Sequence, residues 1–189
     1  MAPISSAVHK TEALATRGAL RALDGLLDDL GAVLIGVSPE IYAARPVAGV
    51  SGSVGEHVRH VLDHIAALLS CRPAAVLTYD RRQRGTAVET DPSTALRQIL
   101  RLKAALTLCG TRSQDEPLQV LSMVSDSGES LTSWSTLARE LAFVVSHTIH
   151  HQAIDCSALV LSRSARPGTV RLRAVHATGV TIVCVRCAP

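Results

Sequence analysis

The stretch Ser53-Val54-Gly55-Glu56-His57-Val58-Arg59-His60-Val61-Leu62-Asp63-His64 decides how this chain is read. Ser53 and Glu56 have the Ser-x-x-Glu form of a capping box, in which side chain and backbone of the two residues satisfy each other at a helix start. A helix therefore begins here and runs to about Ser70. At 100° per residue, His57, His60 and His64 project within an arc of about 60° on one face of it.

Further helices lie on either side. Leu20, Leu23, Leu27, Leu30 and Leu34 recur at spacings of three and four, one apolar stripe on a helix from about Glu12 to Ile35. Asp28 and Asp29 fall off that stripe. Ser38-Pro39-Glu40 starts a short turn or helix, with Pro at a first helical position. A Gly/Val/Ser stretch from Val47 to Gly52 then leads to Ser53. Downstream, Tyr79 to Thr86 is a polar connection. Asp91-Pro92 opens a third long helix, because Asp caps and Pro fits a first turn. Ala95, Ile99, Leu102, Leu106 and Cys109 share its buried face, and Gly110 stops it. Leu118 to Val124 reads as a strand, Asp126-Ser127-Gly128 as a turn and Ser130 to Trp134 as a returning strand. A fourth long helix begins near Ser135 and continues to about Leu161. The expected fold is all-α, a four-helix bundle with a small β-hairpin before the last long helix.

Composition agrees and removes several functions. A chain of 189 residues is long enough for one domain with a core, and 47% of it is apolar. Leu and Ala are prominent among those residues, and both favour helices. Aromatics make up only 2%, which argues against stacking on nucleic-acid bases. The net charge of +3 comes from the end of the chain, where Ser162 to Pro189 hold five Arg and no acidic residue. Without those five, 14 basic residues face 16 acidic ones, a net of −2, and nothing recommends a nucleic-acid partner. No apolar run is long enough to span a membrane. The cysteines are Cys71, Cys109, Cys156, Cys184 and Cys187. Their odd number, with no secretory signal before His9-Lys10-Thr11-Glu12, points to the reducing cytoplasm.

Six of the eight histidines fall in two groups. The second group is His147, His150 and His151. His147 and His151 stand one turn apart and can touch one ion together, while His150 points away from His151. Imidazole is a good ligand for Zn, Ni, Cu or Fe. One helix can supply two ligands at this spacing and a packed neighbour the third, leaving a coordination position open for water or substrate. No Cys lies near either group, so a closed thiolate site is not expected. A single His on a helix is usually a surface or hydrogen-bonded core residue. Two groups on separate helices, both embedded in apolar sequence, weigh toward a metal.

The capping-box segment, followed by Arg139-Glu140-Leu141 and by Ser146-His147-Thr148-Ile149-His150-His151, resembles the DinB/YfiT-like superfamily over about Leu20 to Leu161. The resemblance implies an up-down four-helix bundle with a three-His site for a divalent ion, Zn, Ni, Mn or Fe not being distinguished. In the family motif the helix-two ligand follows a Ser-x-Gly turn by seven positions, which matches Ser53 and His60, and the last-helix ligands match His147 and His151. His57 and His64 are then extra, as partners of the ligands or as alternative ligands. Asp63 or Glu140 is placed to orient a ligand imidazole through its free ring nitrogen, with ordinary solvated helix charge an equal reading of both. Family members include thiol-dependent transferases and isomerases, in which the metal activates a low-molecular-weight thiol. The expected function is thus a metal-dependent enzyme of transferase or hydrolase type acting on a small molecule, with the catalytic groups unassigned. The alternative is a non-catalytic metal- or small-ligand-binding, stress-related bundle. Homodimers through helix faces suit such bundles.

Two segments stand apart. The Arg residues between Tyr79 and Asp91 suit a carboxylate or phosphate, but pairing with Asp80, Glu89 or Asp91 is the plainer expectation. Helix two is about 27 Å long, and this loop follows its far end, away from His57 and His60. After Leu161 the chain, residues 162–189, reads as a basic tail outside the bundle of 1–161, poorly ordered or out of the native frame. Proteins resembling this one tend to end Phe-Gly-Tyr-Ala-Pro-Ser-Thr, and a one-base shift of codons compatible with Val170 to Ala177 yields Phe-Gly-Tyr-Ala-Pro-Ser. Cys184 and Cys187 form a lone C-x-x-C pair, a weak sign of metal or redox chemistry.

Overall fold

Capping chemistry and apolar spacing place the helices where they form. In a computed structural model of the chain, residues 4–45, 52–73, 75–81, 83–164, 171–177 and 180–186 are described, with side chains for those between 16 and 155. The Ser53 hydroxyl accepts from Glu56 N at 3.1 Å and Ser53 N donates to the Glu56 carboxylate at 2.6 Å. This closed capping box starts α3 (Val54–Ser70). Asp91 caps α4 (Pro92–Cys109) by accepting from Ser93 N at 2.9 Å, with Pro92 in the first turn. The other helices are α1 (Ile4–Leu34), α2 (Pro39–Ala43) and α5 (Leu137–Ser164).

The described residues are mostly helical. Each long helix packs on two others: α1 against α4 and α5, and α3 against α4 and α5. The α1 stripe enters the centre, with Leu23, Leu27, Leu30 and Leu34 buried and Leu20 packed at its margin. The predicted inner face of α4 is buried as expected. Each such Leu contributes about 1.5–3 kcal/mol by leaving water. From α5 come Leu137, Leu141 and Val144, but the buried face then turns polar at Thr148, Gln152 and Asp155. Gln152 donates to the Leu26 carbonyl at 2.7 Å, tying α5 to α1.

The all-α expectation holds only roughly. The hairpin is present as β2 (Pro117–Met123) and β3 (Ser130–Thr136), paired antiparallel. A third strand, β1 (Val76–Leu77), joins β2 in parallel and makes a three-stranded sheet in the order β1-β2-β3. Two residues are too short to show alternation in sequence. Leu77 is held there by burial, with Leu118 and Val120 from β2 in the same core. A second sheet pairs β4 (Arg171–Ala177) with β5 (Val180–Arg186). Residues 46–51, which take in the Gly/Val/Ser stretch except Gly52, lie outside the described residues. So does Cys187, as do the side chains of Cys156 and Cys184. Among the described residues, no helix is long and apolar enough to cross a membrane.

The connection after α3 does not stay at its far end. It folds back along the helix, so that the 3-10 turn Ala87–Glu89 packs on α3. Gly55 permits the contact. A Cβ there would lie 2.0 Å from the Glu89 carbonyl oxygen and 2.8 Å from the Tyr42 ring. Arg59 reaches Glu89 at 2.6 Å and Asp63 at 2.8 Å, and the Tyr42 hydroxyl donates to the Val88 carbonyl at 2.7 Å.

Candidate metal centre

Helices α3 and α5 face each other with their histidines. His60 Nε2 and His147 Nε2 are 3.0 Å apart, although the residues stand 87 positions apart in sequence. His64 joins them: one ring nitrogen from each of His60, His64 and His147 lies within 4.8 Å of the other two. The His151 ring sits edge-on to His60 at 4.6 Å and to His147 at 4.5 Å between centroids. His57 is one step further out, 5.6 Å from the His151 ring. All five predicted ligands or alternatives are thus brought together. His64, an alternative in the sequence reading, stands in the closest group, and His151 flanks it. His150 is exposed and meets only the edge of His151 among the ring contacts.

The backbone and one carboxylate fix which nitrogens face inward. His64 Nδ1 lies 2.9 Å from the His60 carbonyl, a bond that only a protonated Nδ1 can donate, so in the neutral ring Nε2 carries the lone pair. His57 Nδ1 lies 3.1 Å from Asp155 Oδ1, which orients that ring in the same manner. Asp155 is 3% exposed. Burial pushes its carboxyl up to about 6 against the opposing pull of His57.

Neither carboxylate expected to orient a ligand does so. Asp63 pairs with the buried Arg59. Glu140 is fully buried, but it accepts from Tyr79 at 2.9 Å, Ser135 at 2.6 Å and Arg139 at 2.6 Å. Tyr79 is what reaches the histidines. Its ring stacks on His64 at 5.0 Å with an interplanar angle of 5°. On its other neighbours, His64 stacks at 4.2 Å against His147, which stacks in turn on Phe143. Burial, then the adjacent Glu140, push the Tyr79 hydroxyl well above its ordinary range, so it stays a proton donor. Glu140 also closes one wall of a cleft of about 480 Å³ between β2, β3 and the start of α5, lined by Ser122, Ser133, Ser135 and Arg139.

Sequence reasoning missed Asp155 and Tyr79. Asp155 had a signal, since it stands four residues after His151 and eight after His147, on the same side of α5. Tyr79 had none, because its contacts depend on the loop folding back. Among the described residues, Glu89 is held by Arg59 and Asp91 by Arg97, neither from the loop, and Asp80 accepts from Met123 N.

The donor set fits a divalent first-row ion. Tetrahedral ligands with metal–nitrogen bonds of about 2.0–2.1 Å stand about 3.3 Å apart, close to the His60–His147 spacing. Imidazole nitrogens without thiolates suit Zn, Ni, Cu or Fe. No family model, curated protein or solved structure matches the chain.

Proposed function

We propose that the chain is a DinB/YfiT-like four-helix bundle that holds one divalent ion between α3 and α5 and uses it in thiol-dependent transfer or in hydrolysis. One observation carries the reading: two imidazole nitrogens from different helices, His60 Nε2 and His147 Nε2, face each other at 3.0 Å inside a cluster of histidines. Pairing the four long helices two by two supports the bundle. His151, against both rings, is the third ligand that the family motif implies.

A bound divalent ion supplies a lowered pKa for a thiol or water at neutral pH. The chain's own groups prepare the place. The His60 carbonyl holds His64 in one tautomer, Asp155 holds His57, and the Phe143 and Tyr79 rings cover one flank of the cluster.

Elemental mass spectrometry of the purified protein tests the site. The expected result is about one ion per chain, absent from His60→Ala and His147→Ala. No ion in the parent protein after dialysis against Zn, Ni or Mn would sink the reading. The second reading, a non-catalytic metal- or small-ligand-binding bundle, is favoured by the crowding of four imidazoles around one point. Small thiols added to the Co(II) form separate the two: a shifted visible spectrum supports the enzyme, and an unchanged one supports the binding protein.

A further inference from the structure

We infer that His64 is itself a metal ligand, through Nε2, and that Tyr79 is the positioning residue that sets its ring. The inference rests on the metal reading above and goes beyond its three ligands. Three independent contacts hold the His64 ring. Nδ1 is bound to the His60 carbonyl at 2.9 Å, which leaves Nε2 as the donor. One face lies parallel to Tyr79, at 5° and 5.0 Å. Another contact, at 4.2 Å, is with the ring of His147, whose Nε2 already faces His60. His64 is 5% exposed, so its imidazole is not a surface group that happens to lie nearby.

Tyr79 is in turn fixed at its far end. Its hydroxyl donates to Glu140 at 2.9 Å, and Ser135 and Arg139 hold the other oxygen of that fully buried carboxylate. A rigid line therefore runs from the base of α5 through Glu140 and Tyr79 to His64. A core histidine serving only for packing needs neither a fixed tautomer nor a place in a group of ring nitrogens within 4.8 Å of one another. His60, His64 and His147 would be the residues to hold an ion, with His151 against the rings of His60 and His147.

Cobalt(II) titration of the full chain tests this by visible absorption. His64→Ala is expected to keep one ion, to bind it at least about tenfold more weakly and to show an altered d–d spectrum, which free imidazole restores by filling the vacated position. His64→Leu, which keeps the volume, is expected to behave alike. Tyr79→Ala is expected to weaken binding about tenfold with no change in ligand type, because it disturbs placement alone. A His64→Ala spectrum and affinity equal to the parent's, with no response to imidazole, would overturn the inference while His60→Ala and His147→Ala still lost the ion. Absence of cobalt binding by the parent protein would remove both readings together.

Discussion

Replacing Gly55 by Ala should destabilise the protein by about 3 kcal/mol, a prediction that follows from one close approach. The added Cβ would stand 2.0 Å from the Glu89 carbonyl oxygen and 2.7 Å from its carbon. Carbon–oxygen contacts normally begin at about 3.3 Å, so the 3-10 turn has to retreat by more than 1 Å, on the order of a whole methyl radius. Overpacking of that kind costs up to about 3 kcal/mol. The retreat also pulls Val88 from the Tyr42 hydroxyl, about 1 kcal/mol more. Ala recovers at most about 1 kcal/mol through helix propensity. Urea denaturation reads the balance. With a slope of about 2 kcal/mol per M, the midpoint should fall by about 1.5 M. Gly31→Ala is the control, since its Cβ meets only Leu96 at 3.7 Å, an ordinary contact. It should be neutral or stabilising by up to about 1 kcal/mol. A Gly55→Ala midpoint equal to that of Gly31→Ala would refute the docking of the turn on α3.

Other consequences can be checked with similar economy. Tyr79→Phe removes one donor from the buried Glu140 and should cost about 1–3 kcal/mol by urea denaturation, while Phe keeps the stack on His64. Gln152→Leu leaves the Leu26 carbonyl unbonded inside the bundle and should cost about 1–3 kcal/mol; a loss below about 0.3 would contradict the tie between α1 and α5. Asp91 accepts from Thr94 and Ser93, which lower its carboxyl from 3.8 to about 2. A depressed folded-state value means stabilisation that is complete above the unfolded value and is lost as pH falls through the folded one. Asp91→Asn, which keeps a capping oxygen without titrating, should therefore flatten the acid limb between about pH 4 and pH 2. Parallel acid limbs for the two proteins would refute that assignment.

How much the sequence discloses depends on the range of the interaction. The capping box at Ser53, the Asp91-Pro92 start and the Leu stripe of α1 rest on contacts within a few residues, and each was legible. The five histidines were legible for the same reason, as spacings along single helices. The choice among them was not, because it depends on how α3 and α5 are rotated against each other and on the loop between them. Tyr79 meets His64 only after that loop reverses, and Glu140 turns away from the histidines because Ser135, Arg139 and Tyr79 claim both of its oxygens. Strand β1 escaped because a two-residue strand carries no period.

His60 and His147 stand 87 positions apart, and that distance matters for biosynthesis. Half of the centre emerges from the ribosome with α3, and the other half arrives only with α5, after α4 and the sheet. A nascent chain that stops before α5 offers an ion three histidines on one helix and nothing opposite them. On the proposed reading, loading belongs to the finished protein, and an ion bridging the pair would act as a late clasp on a loop of about half the chain. Chelation should then be felt first as faster proteolysis at the α5 end.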